Sequence, residues 1–138
     1  MNSIPDTFDD DELLYRAVYP PSFNKMYWKE DGTVSSAAFE DAKGLSVDRG
    51  YRRNTDEVVE TMRKTFTGYI ISVNVQQCKE TNAVVKYRPE DYDIYHSEIH
   101  GSEDKLLLSK AQRRFLRSVA KIVYNPEAKN PGDDKVSE

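Results

Sequence analysis

The sequence predicts an α+β domain: a mostly antiparallel or mixed sheet with two amphipathic helices. Three observations lead there. Short runs rich in strand formers recur along the chain, most clearly at residues 13–19, 69–75 and 83–87. Two later segments carry apolar residues at helical spacing behind a capping signal. The length, 138 residues, suits one domain able to bury a core without disulfides.

Each element follows from local chemistry. Leu13-Leu14-Tyr15-Arg16-Ala17-Val18-Tyr19 is rich in strand formers and stops at Pro20-Pro21. Lys25–Lys29 is a short apolar run closed by the turn signal Asp31-Gly32. Val34–Phe39 reads as a strand or a tight turn, and Leu45–Arg49 alternates apolar and polar side chains. Asn54 or Thr55 caps a helix whose stripe is Val58, Val59, Met62 and Phe66, ended by Gly68. Tyr69–Val75 reads as a strand with Ile71, Val73 and Val75 on one face, and Ala83–Tyr87 as another, closed by Pro89. Residues 88–95 are polar and irregular. Ser109 and Gln112 form a capping box for a last helix with Ala111, Phe115, Leu116, Val119, Ala120, Ile122 and Val123 on one side.

Charge is uneven. Net charge is -4, yet residues 1–12 hold five acids and no base, which leaves the middle of the chain mildly basic. An acidic balance of this kind does not exclude anionic partners. Residues 1–11 read as a flexible acidic tail, 12–124 as the single α+β domain and 125–138 as a second flexible tail. The one cysteine, Cys78, makes neither an internal disulfide nor a thiolate metal cage, which argues for a reducing compartment. With no apolar run of membrane-spanning length and no leader-like start, a cytoplasmic protein without a membrane partner is expected.

Three constellations could carry chemistry. Both histidines lie in Tyr95-His96-Ser97-Glu98-Ile99-His100-Gly101. If the segment is extended, His96, Glu98 and His100 share a face; if helical, only the two histidines do. Either way the side chains that titrate nearest neutrality meet a carboxylate, a pattern suited to acid–base work and, less so, to a divalent metal. The same pattern is what strand histidines bonded to backbone would give, and no metal is assigned. A second group is Ser35-Ser36-Ala37-Ala38-Phe39 with Gly44-Leu45-Ser46-Val47-Asp48-Arg49: small hydroxyl residues beside a glycine turn, either a ligand approach or plain turn chemistry. The third is a basic stripe, Lys110, Arg113, Arg114, Arg117 and Lys121, with Arg49 as a further cation. It suits phosphate, or is a solvated helix face. P-loop, Rossmann, HExxH and CxxC motifs are absent, which excludes Walker-type hydrolysis and zinc proteolysis as leading readings.

The segments LYRAVYPP, VSSAAFEDAKGLSVDR and YHSEIHG, followed by an amphipathic helix, resemble a group of small prokaryotic proteins with SSAAF-like, SVD-like and late His-Gly motifs. That group has no established activity, so the resemblance implies no catalytic residues. Arg16, Ser36 and Glu98, in that order, also resemble the pattern of ADP-ribosyltransferase-like folds, including RES-type toxins. That resemblance implies NAD as substrate: Arg16 on a phosphate, Ser36 on the nicotinamide ribose, Glu98 facing positive charge on the ribose, with His96 and His100 beside them. Lacking it, no cofactor is expected. The leading expectation is a small interaction or accessory protein with a protein partner. Its surface would be the aromatic and basic region around Arg16, Arg49, His96, His100 and the last helix. An NAD-using enzyme and a nucleic-acid-binding protein are the alternatives.

Overall fold

Strand alternation builds the molecule outward from residues 13–18. Leu14 and Val18 project to one side of this strand, Leu13, Tyr15 and Ala17 to the other, and Leu14, Tyr15 and Val18 are all buried. A strand with apolar residues on both faces belongs inside a sheet. The structure is a computed structural model that describes residues 3–127. Its strands are β1 (Leu13–Val18), β2 (Leu45–Arg49), β3 (Tyr69–Asn74), β4 (Val84–Tyr87), β5 (His96–His100) and β6 (Lys121–Tyr124). They form one six-stranded sheet in the order β4-β5-β2-β1-β3-β6, antiparallel at every pairing. The helices are α1 (Thr55–Arg63), α2 (Val75–Glu80) and α3 (Lys110–Val119). Each starts with a reciprocal capping box: Asn54 with Glu57, Asn74 with Gln77, Ser109 with Gln112. Such a cap is worth about 1 kcal/mol. The chain is an α+β single domain. Among the described residues, no helix is long and apolar enough to cross a membrane.

The two faces of the sheet are covered differently. On one, Leu14, Val18, Leu45, Val47, Ile71, Val73 and Ile99 pack beneath Leu116 of α3, Cys78 of α2, and Ala38 and Phe39 of a 3-10 turn at Ser36–Phe39. On the other, α1 lays Val58 and Met62 against Tyr15 and Ile70. That cover reaches Leu13 and Ala17 of β1 and Val123 and Tyr124 of β6. Among the described residues, it leaves the same face of β2, β5 and β4 without a helix.

Three elements differ from their sequence reading. α1 ends at Arg63, so Phe66 of the expected stripe lies beyond it and is 47% exposed. Val75 opens α2 rather than ending β3, because the Asn74–Gln77 box draws it into a helix. The last helix stops at Val119; Ala120 turns extended and Lys121–Tyr124 become an edge strand on β3. β-branched Ile122 and Val123 favour the strand, although their spacing also continues the helical stripe.

The N-terminal segment, expected to be a free tail, is docked. Arg49 Nε and Nη2 bind the Glu12 carboxylate at 2.7 and 2.9 Å, and its guanidinium donates to the carbonyls of Pro5 and Thr7. The Phe8 ring lies 3.9 Å from the guanidinium carbon and packs on the core. Gln76 N–H donates to the Asp10 carbonyl, and Lys79 pairs with the Asp10 carboxylate. Acidic composition suggested looseness; one buried cation supplies the partner. Of the C-terminal tail expected from residue 125, residues 128–138 lie outside the described residues, as do residues 1–2.

Candidate functional site

Cross-strand register brings the polar residues of β2 and β5 together. Ser46 pairs with Glu98 and Asp48 with His96, and partners directly opposite share a face. Tyr15 pairs with Asp48. Ser46, Asp48, His96 and Glu98 therefore all project to the face that α1 covers only in part. Here lies a cleft of about 270 Å³. Its floor is Tyr15, Ala17, Ser46, Asp48 and His96; Met62 and Phe66 form one wall, Tyr92 and Asp93 the other. The walls are mostly apolar, with a few polar groups converging on the floor, the usual composition of a small binding site.

Asp48 is the most perturbed group in the cleft. It is 8% exposed, and burial, its hydrogen bond with Asp93 and the Asp93 charge push its carboxyl up to about 8. Arg53 pulls the other way from 3.6 Å. The opposition is partial: Arg53 Nη2 also donates to the Arg49 carbonyl at 2.6 Å and its guanidinium sits 3.5 Å over the Tyr95 ring, while its buried Nε has no hydrogen-bond partner among the described residues. Asp93 is fixed by the turn it caps, accepting from Tyr95 N–H at 3.0 Å. Asp48 thus keeps its proton near neutrality.

His96 is held in one tautomer. Its Nδ1 is 2.8 Å from the Arg88 carbonyl and 3.2 Å from Glu90 Oε1. Both neighbours accept, so Nδ1 carries the proton, and in the neutral imidazole Nε2 is left as an acceptor. Nε2 is 3.2 Å from Ser46 Oγ, so the serine hydroxyl donates to it. Tyr92 donates to the other oxygen of Glu90. The irregular residues 88–95 are therefore the segment that orients the histidine.

The segment 96–100 is extended, and Glu98 and His100 make a separate pair at 2.8 Å. His100 is buried. Gly44, at φ +98°, closes over this pair; a Cβ there would meet Glu98 Oε1 at 2.8 Å and His100 Nε2 at 3.0 Å.

The remaining sequence candidates are dispersed. Arg16 projects to the opposite face from Glu98. Its Nε donates to the Ala38 carbonyl at 2.7 Å and its Nη1 to the Ser46 carbonyl at 3.0 Å, and burial lowers its pKa against the pull of Asp41 and Tyr27. Ser36 begins the 3-10 turn on that same opposite side. Arg16, Ser36 and Glu98 thus do not share a cleft. Arg49, read as a surface cation, is 0% exposed and serves the N-terminal dock. Of the basic stripe, Arg113 and Arg117 donate to the carbonyls of Leu108 and Val34. Lys121 sits in β6, off the helix. Lys110 and Arg114 are exposed on α3. Among the described residues, no three His, Cys, Asp or Glu side chains group as a metal would need. Asp93, Glu90 and Tyr92 lie outside every sequence constellation, whereas Ser46 and Asp48 belong to the glycine-turn group, whose ligand-approach reading includes them. The alternation in Leu45–Arg49 was the available signal that Ser46 and Asp48 share a face.

No protein-family model matches this chain, and no curated protein or solved structure matches it.

Proposed function

We propose that the protein is an interaction module whose cleft receives a basic side chain of a partner protein, arginine by preference. Asp48 on the cleft floor beside Asp93 on its wall carries this reading. Every polar group offered to the cleft by Asp93 and Asp48 in its charged form is an acceptor, so the ligand head must donate. A guanidinium donates through a planar fork that matches carboxylates, and its faces stack on aromatic rings. Phe66 and Tyr92 are 47% and 82% exposed on opposite walls, which leaves such faces available. Entry of a cation would favour the charged form of Asp48 and release its proton. Hydrogen bonds to a charged group contribute about 1.5–3 kcal/mol each, enough for weak, specific capture of a single side chain.

The test is an NMR titration with acetyl-arginine amide, with the citrulline analogue as the uncharged control. Shifts at the amides of Asp48, Asp93 and His96 with the arginine compound alone support the proposal. Asp93→Asn should weaken binding about tenfold, the value of one lost charged hydrogen bond. Equal binding of citrulline, or no shifts at millimolar ligand, would sink it.

A further inference from the structure

We infer that Ser46 is an activated nucleophile, with His96 as its general base and Glu90 as the carboxylate that faces the imidazole from the Nδ1 side. The site takes carboxylic esters that carry a cationic nitrogen. The class of substrate rests on the cation-binding reading above; the nucleophile does not.

The geometry has three parts. Ser46 Oγ is exposed at the cleft and lies 3.2 Å from His96 Nε2, the ring nitrogen that has no proton. His96 Nδ1 lies 3.2 Å from the Glu90 carboxylate and 2.8 Å from the Arg88 carbonyl, so a proton gained at Nε2 makes an imidazolium already facing an anion. Glu90 is itself held by the Tyr92 hydroxyl. A hydroxyl, an imidazole in the right tautomer and a carboxylate behind it meet the roles that nucleophilic acyl transfer requires, whatever the fold.

The reaction balances with water as the only co-reactant. Ser46 Oγ attacks the ester carbonyl carbon while its proton passes to His96 Nε2. The tetrahedral adduct collapses, the bond to the leaving oxygen breaks, and that oxygen takes the proton from Nε2. Water then adds to the acyl carbon, giving a proton to Nε2. The acyl–Oγ bond breaks and Oγ recovers the proton, leaving acid and alcohol. Ser46 lies on an interior strand rather than at a strand-to-helix turn that would aim free N–H groups at an oxyanion. Esters with good leaving groups, not peptide amides, suit such a site. Asp48 is two residues away on the same face, which puts the cation about 7 Å from the scissile carbonyl by strand geometry.

The decisive probe is an uncharged alkyl fluorophosphonate, which loses fluoride as Oγ bonds to phosphorus. Intact mass and peptide mapping should place one adduct on Ser46, absent in Ser46→Ala. His96→Gln should slow labelling at least tenfold and Glu90→Gln by less, with melting temperatures near that of the unaltered protein. No adduct on Ser46, or equal rates in the two histidine forms, would overturn the inference. Butylguanidinium then separates the two readings. Protection of Ser46 that is lost in Asp93→Asn supports both. Labelling without protection leaves the nucleophile standing and removes the cationic substrate class. Guanidinium binding without labelling leaves the module and removes the nucleophile.

Discussion

Asp48 and Arg49 are neighbours on one strand, both buried and both ionisable, and they have opposite fates. Arg49 points to the closed face. There it finds Glu12, two carbonyls and the Phe8 ring, so its charge is fully answered. Asp48 points to the half-open face. There it meets a second carboxylate and an arginine already bound elsewhere, so its charge is not answered. Burial alone does not mark a functional residue. What distinguishes the two is whether the surroundings satisfy the charged form, and only Asp48 retains a demand that a ligand could meet.

The sharpest way to break the comparison is at Arg49. Arg49→Met strands the Glu12 carboxylate, whose side chain is only 8% exposed. Leaving one partner of a buried pair uncompensated costs about 3–5 kcal/mol. Urea unfolding should show that loss, and the double variant with Glu12→Leu should recover much of it, because the unpaired charge is gone. Cleavage within residues 3–11 should become faster in Arg49→Met, since the dock loses its anchor. An unchanged midpoint would mean that Arg49 is not what holds the N-terminal segment.

Gly44→Ala is expected to cost less, about 1–3 kcal/mol, as a side chain at left-handed φ does when it also displaces a neighbour. Its Cβ would push apart Glu98 and His100, so the His100 ring signals should shift while those of His96 stay. Movement of both histidines would show that the two pairs on β5 are coupled.

These residues also show what the sequence made legible. The alternation of Leu45–Arg49 and of residues 96–100 marks which side chains share a face within each strand. The α+β class follows from the same patterns, and the capping boxes at Asn54 and Ser109 locate two helices. No local pattern could set β2 beside β5, because register between strands fifty residues apart is a property of the packed sheet. For that reason the strand pattern sets His96 with Glu98 and His100, whereas its contacts are Ser46 across the sheet and the Arg88 carbonyl and Glu90 in the preceding loop. The docking of the N-terminal segment is hidden from composition for a related reason. Composition counts the acids in residues 1–12 but not the buried arginine that receives Glu12.

One further expected effect is specific to Asp48. Its carboxyl titrates near 3.8 in an unfolded chain and at about 8 in the fold. Between those values the folded protein holds a proton that the unfolded chain has released. The native state then binds more protons, so stability falls as pH rises through this window. Above 8 both states are charged at this position and the cost is constant. Asp48→Asn keeps an N–H donor toward Asp93 and has no proton to lose. The variant should therefore melt close to the unaltered protein near pH 4 and above it at pH 9, with the gap opening between. Melting curves across that range decide the matter. A gap that narrows with rising pH would mean that Arg53 answers Asp48 after all, and that both charges on β2 are structural.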